Sequence, residues 1–142
     1  MEWWMTAIFS THRIFLLAGL AIAINLICSV WAYLAHRKGR NTLGPVFWGL
    51  LVMAEAAVVL QGLTGGVLWL SGLRPKTPLH YLYGFLALLA VASQHGLRPG
   101  GWLRVWVSRQ GVGFREPLVT ALLCLFLVGL IARAYTTGLW GR

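Results

Sequence analysis

Residues 14–34, IFLLAGLAIAINLICSVWAYL, run for 21 positions without a charged side chain and stop at His36-Arg37-Lys38-Gly39-Arg40. A helix of about 20 apolar residues crosses a hydrocarbon core of about 30 Å, so this stretch reads as a membrane span. Three further stretches have that character, which places the spans at about residues 14–35, 46–70, 78–97 and 117–135. Pro45, Pro78 and Pro117 stand near helix starts, where a missing N–H costs little, and Gly39 and the Pro99-Gly100-Gly101 run stand past helix ends. The expected architecture is all-α: a polytopic membrane protein, a four-transmembrane-helix bundle in one membrane domain over residues 1–142.

Composition agrees with that reading. Of the 142 residues 58% are apolar and 11% charged, against about 25% charged in soluble domains. The excess of 12 Lys and Arg over 3 Asp and Glu would suggest nucleic acid in a soluble chain. Here the cations fall between apolar spans, where they direct membrane insertion, so no nucleic-acid partner is expected. Cys28 and Cys124 each lie inside a span and read as packing residues rather than as a disulfide or thiolate site. The first residues, MEWWMTAIFSTHR, lack the basic start of a cleavable signal peptide, and no cleavage is expected.

Arg37, Lys38 and Arg40 occupy the first connection and Arg98, Arg104, Arg109 and Arg115 the third, whereas the second carries only Arg74 and Lys76. The positive-inside rule then puts the first and third connections in the cytoplasm and both termini outside, in a multi-pass protein of the cell inner (plasma) membrane. His12 and His80 share the outer side under this topology, and His36 and His95 the inner side. The third connection, residues 98–116, alternates Trp102, Leu103, Val105 and Trp106 with Arg104 and Arg109. It reads as an interfacial loop and part of an aromatic belt.

Histidines are rare in membrane segments, where an unpartnered polar group is costly. His12 opens the first span and His80 the third, so their imidazoles reach similar depth. A haem iron takes two imidazoles from facing helices at about 2 Å on either side of its ring. Helical spacing places Gly19 below His12 and Gly84 below His80, small side chains of the kind a flat macrocycle needs between helices. Gln61, Gly62, Gly65 and Gly66 lie near the same end of the second span. Gly62 and Gly66 form a GxxxG pair, for which close helix packing is the usual account. Arg13, Arg74, Lys76 and Arg133 are the cations available to anionic propionates at this edge, although Arg133 can also snorkel to the headgroups.

These residues carry a family resemblance. The string Thr11-His12-Arg13-Ile14-Phe15-Leu16-Leu17-Ala18 resembles the HR..A start of a haem-bearing helix in the haem A synthases. The string Leu60-Gln61-Gly62-Leu63-Thr64-Gly65-Gly66, followed by Pro78-Leu79-His80, is similar to their Q..LGG…LH pattern. The resemblance covers the first three spans and implies one four-helix half of that fold, with His12 and His80 in the ligand positions and one haem b between them. The family's catalytic half has a glutamate one turn before its first histidine, where this chain has Ile8 and Phe9, and this chain has no second half and no cysteine pair in an outer loop. Haem binding without haem oxidation is the expectation, with no catalytic residue assigned.

Two further points complete the reading. A second, inner haem on His36 and His95 is not expected, because 15 residues separate His80 from His95, about 22 Å of helix, whereas 24 separate His12 from His36, about 36 Å. Glu55 is the sole acid within a span; it either takes up protons near a quinone or stays neutral and hydrogen-bonded. The functional expectation is a bis-histidine cytochrome in membrane electron transfer. Its partners would be the lipid bilayer, a quinol or another membrane redox protein, and further copies or subunits. The alternatives are a non-catalytic accessory or assembly subunit of a respiratory membrane complex and, with less in its favour, a small transporter.

Overall fold

The computed structural model describes residues 3–13, 15–75, 77–111 and 113–139, and among them excludes the side chains of Met5, Phe9, Thr11, Arg13, Phe15 and Leu139. Six helices account for most of the described chain: α1 (Trp3–Arg13), α2 (Phe15–Arg37), α3 (Pro45–Leu70), α4 (Leu79–Leu97), α5 (Trp102–Arg109) and α6 (Glu116–Leu139). Three segments are long and apolar enough to cross a membrane: Leu16–Arg37, Pro45–Leu70 and Glu116–Gly138. The expected third span, α4, has 19 residues and is about 28 Å long, but His80, Gln94 and His95 make it less apolar than those three.

Local sequence explains where the helices begin and end. Gly44 in an extended conformation precedes Pro45 in the first turn of α3, where proline's fixed φ suits a helix start. Gly39, at φ +70°, lets α2 end in a Schellman turn: Gly39 N–H donates to the His36 carbonyl and Arg40 N–H to the Ala35 carbonyl, each at 3.0 Å.

Helix α2 packs against α3 and α6, and α4 packs against the same two, so α2, α3, α4 and α6 close into a ring. Helix α1 lies on α3 and α5 on α4. Two apolar clusters fill the ring. One gathers Ile24, Cys28, Phe47, Leu51 and Cys124; the other is rich in alanine, with Ala18, Ala21, Ala57, Ala87 and Ala90, which lets the backbones approach closely. A polar layer joins them: Gln94 Nε2 donates to Asn25 Oδ1 at 3.0 Å and to Cys124 Sγ at 3.3 Å, while Asn25 Nδ2 donates to the Ala21 carbonyl at 2.9 Å. The outward faces are apolar, with Val30, Leu63 and Phe126 each more than half exposed. Such faces suit lipid chains and would be a liability in water.

Two helices lie outside the expected spans. Residues 98–116 do not form a loop throughout, because Trp102–Arg109 is helical. Apolar residues at 102, 103, 105 and 106 follow the helical period, and Arg104, on the face toward the bundle, pairs with Glu116 at 2.5 Å. The segment ahead of the first span, assigned no structure from sequence, forms α1.

Candidate functional site

His12, near the end of α1, and His80, in the first turn of α4, meet at one end of the ring. Their ring centroids are 6.0 Å apart and their planes 82° from parallel. The remaining hydrogen bonds assign the tautomers. Thr64 donates its hydroxyl to the Gln61 carbonyl at 2.9 Å, so the same oxygen accepts from His12 Nδ1–H at 3.1 Å. Gln61 Nε2 donates to the His12 carbonyl at 2.8 Å, the better of its two approaches, the other being 3.3 Å to Nδ1. His80 Nδ1 lies 2.9 Å from the Ala134 carbonyl, which only accepts, so His80 also carries its proton on Nδ1. With the proton on Nδ1, the neutral form of each ring carries its lone pair on Nε2, the arrangement in which a fixed imidazole serves as a metal ligand. Burial, and after it the facing His80, holds the His12 pKa below the usual histidine value, which favours the neutral ring.

Glycines shape the seats of both rings. A β-carbon on Gly65 would lie 3.0 Å from His12 Cε1, and one on Gly138 would lie 3.1 Å from His80 Cε1 and Nδ1. Either methyl would push an imidazole aside. Gly62 serves the packing role instead, since a β-carbon there would meet Leu88 of α4 at 3.3 Å. Gly66 and Gly84 border open space, with nothing within 4 Å of an added β-carbon, and Gly19 is partly buried on α2.

The expected cations are distributed as follows. Arg133 stacks its guanidinium 5.4 Å from the centre of the Tyr83 ring, one residue before the carbonyl that holds His80. Arg74 lies 4.7 Å from the centre of the Trp69 ring. Lys76 and the Arg13 side chain lie outside the described residues.

Among the described residues no three of His, Cys, Asp and Glu converge, so no cage for a bare ion of the zinc type is formed. A metal within a macrocycle asks less, because the ring supplies four nitrogens and the protein only the axial pair. Two imidazole nitrogens at about 2 Å on opposite sides of one iron put the ring centroids about 6 Å apart. The His12 and His80 ring centroids are 6.0 Å apart.

The opposite end holds the other ionisable groups. His95 Nδ1 and Glu55 Oε2 are 2.8 Å apart, with the carboxylate buried and the imidazole about half exposed. His36 makes no ring contact with His95 among the described residues. Glu116, also buried, pairs with Arg104 and accepts the Leu43 N–H at 2.6 Å. Sequence reading missed several of these partners. Thr64 was accessible to it, lying one helical turn beyond Gln61 on the same face. Ala134 and Gly138 left no signal, since Ala134 is 54 residues from His80. The chain matches no protein-family model, no curated protein and no solved structure.

Proposed function

We propose that this chain is a four-helix membrane protein holding one haem b between His12 and His80, a bis-histidine cytochrome in membrane electron transfer. The carrying observation is the facing imidazole pair at 6.0 Å with both Nδ1–H groups engaged elsewhere. In this reading α4 crosses the bilayer beside the three more apolar helices. Arg37, Lys38 and Arg40 between α2 and α3, with Arg98, Arg104, Arg109 and Arg115 between α4 and α6, mark the cytoplasmic end. The histidine pair and both termini then face the outer side of the inner (plasma) membrane. This keeps the arrangement implied by the resemblance to one half of a haem A synthase.

The haem supplies one-electron redox change. The protein's part is to hold two imidazoles as ligands: Thr64 and the Ala134 carbonyl fix the tautomers and raise ligand basicity by accepting from Nδ1–H. Arg133, at the same end, would be available to the anionic propionates of a bound haem. His12 and His80 would hold the haem, and with Ile8 and Phe9 where the synthases have their acid, the bound haem would serve electron transfer rather than oxidation of a haem methyl group. Electrons come from a quinol or from another membrane redox protein.

A second reading, an accessory or assembly subunit in which the histidines only join helices, draws on the same hydrogen bonds, since each imidazole ties its helix to another. Optical spectroscopy of the purified protein separates the two. The cytochrome gives a reducible Soret band and a haem b pyridine haemochrome. Colourless protein from haem-replete cells overturns the cytochrome reading, and haem A made by this chain alone restores a synthase role.

A further inference from the structure

The outward face of α2 carries Ile27, Val30, Trp31 and Leu34, which line a shallow groove that ends at Lys38 and Arg40. Positions 27, 30, 31, 34 and 38 repeat at the helical interval, so the apolar stripe and the first cation share one face. Ile27, Val30 and Leu34 are each at least half exposed. Trp31 forms a fixed wall, its ring edge-on to the buried Phe47 at 5.7 Å.

The cationic end is built by the backbone. The Schellman turn at Gly39 bonds Arg40 N–H to the Ala35 carbonyl at 3.0 Å, which folds Arg40 back beside the last turn of α2 and next to Lys38. Lys38 N–H and Gly39 N–H take the Leu34 and His36 carbonyls, so the helix end is capped by backbone and leaves both side chains free of that task. Among the described residues neither cation has a carboxylate partner, because Glu55 is held by His95 and Glu116 by Arg104.

We infer that this groove binds one anionic phospholipid, its phosphodiester headgroup held by Lys38 and Arg40 and one acyl chain lying along Leu34, Trp31, Val30 and Ile27. The dimensions agree: from Ile27 to Lys38 the helix rises about 16 Å, against about 15 Å for one leaflet of the hydrocarbon core. Charge selects the headgroup, and basic pockets beside membrane helices are suited to anionic lipids. The inference is independent of haem.

Native mass spectrometry of the detergent-purified chain, titrated with dioleoyl phosphatidylglycerol or dioleoyl phosphatidylcholine, tests it. Phosphatidylglycerol should bind about twenty-fivefold more tightly, about fivefold for each cation. Lys38→Gln with Arg40→Gln should bring the two lipids within about twofold of one another, while Lys38→Arg with Arg40→Lys keeps the preference. Leu34→Trp, which fills the groove and leaves the charges in place, should lose the phosphatidylglycerol adduct. Equal binding of the two lipids by the unaltered chain overturns the inference even if a variant fails to fold. Retention of the preference in the doubly neutralised chain, or of the adduct in Leu34→Trp, overturns it as well.

Discussion

The two ends of the bundle use the same side chain for opposite purposes. At one end His12 and His80 give their Nδ1 protons to a hydroxyl and a carbonyl, and their ring centroids lie 6.0 Å apart. At the other, His95 meets the buried Glu55 carboxylate at 2.8 Å, a partner that shares or takes its proton. A carbonyl or hydroxyl opposite Nδ1 fixes the proton there and leaves Nε2 of a neutral ring with a lone pair, whereas a carboxylic group opposite Nδ1 occupies the imidazole in a side-chain pair. The atom opposite Nδ1 therefore distinguishes the two ends of the bundle.

The strongest test of this contrast is to remove the imidazoles one at a time. His12→Ala and His80→Ala should each abolish or grossly alter the haem absorbance, and His95→Ala and His36→Ala should leave it intact. Bleaching by His95→Ala comparable to that by His80→Ala would break the comparison. Next in size is Glu116→Ala, which leaves Arg104 without its buried partner and the Leu43 N–H without an acceptor. It should destabilise the fold by about 3 kcal/mol, read as a lowered Tm. Glu55→Gln, which keeps a hydrogen-bonding group beside His95, should cost about 1 kcal/mol or less.

Glycine substitutions sharpen the description of the histidine seats. Gly65→Ala and Gly138→Ala place a methyl about 3 Å from an imidazole and should weaken haem retention by about 1–2 kcal/mol. Gly66→Ala and Gly84→Ala meet open space, and stability should change by no more than about 0.5 kcal/mol. The smallest effects concern the midpoint potential and have opposite signs. For haem bound as proposed, Thr64→Val would remove the acceptor that strengthens His12 as a ligand, so the potential should rise. Arg133→Gln removes a positive charge that favours the reduced iron, so it should fall. Shifts of the same sign in a redox titration would show that the two residues do not act through ligand basicity and field.

How far the chain can be read without its structure varies along it. Phe15–Arg37, Pro45–Leu70 and Glu116–Leu139 lie close to the expected spans, because in a bilayer the length and apolarity of a segment determine its course. His12, His80 and Gln61 stood out because a polar group in an apolar segment needs a reason. Helices α1 and α5 were less legible, because each is short and depends on a neighbour, α3 or α4, to be held in place.

The sequence by itself determined the helical class, the apolar segments and which side chains had to find partners, since these follow from hydropathy and from the cost of an unsatisfied polar group. Only the tertiary structure decided which partners they found. Thr64 and Ala134 reach the two histidines across helix interfaces, Glu55 reaches His95, and Gly138 clears space for a ring on α4. Such pairings depend on how far each helix is rotated and shifted against the next, which close packing of small residues sets and no single segment encodes.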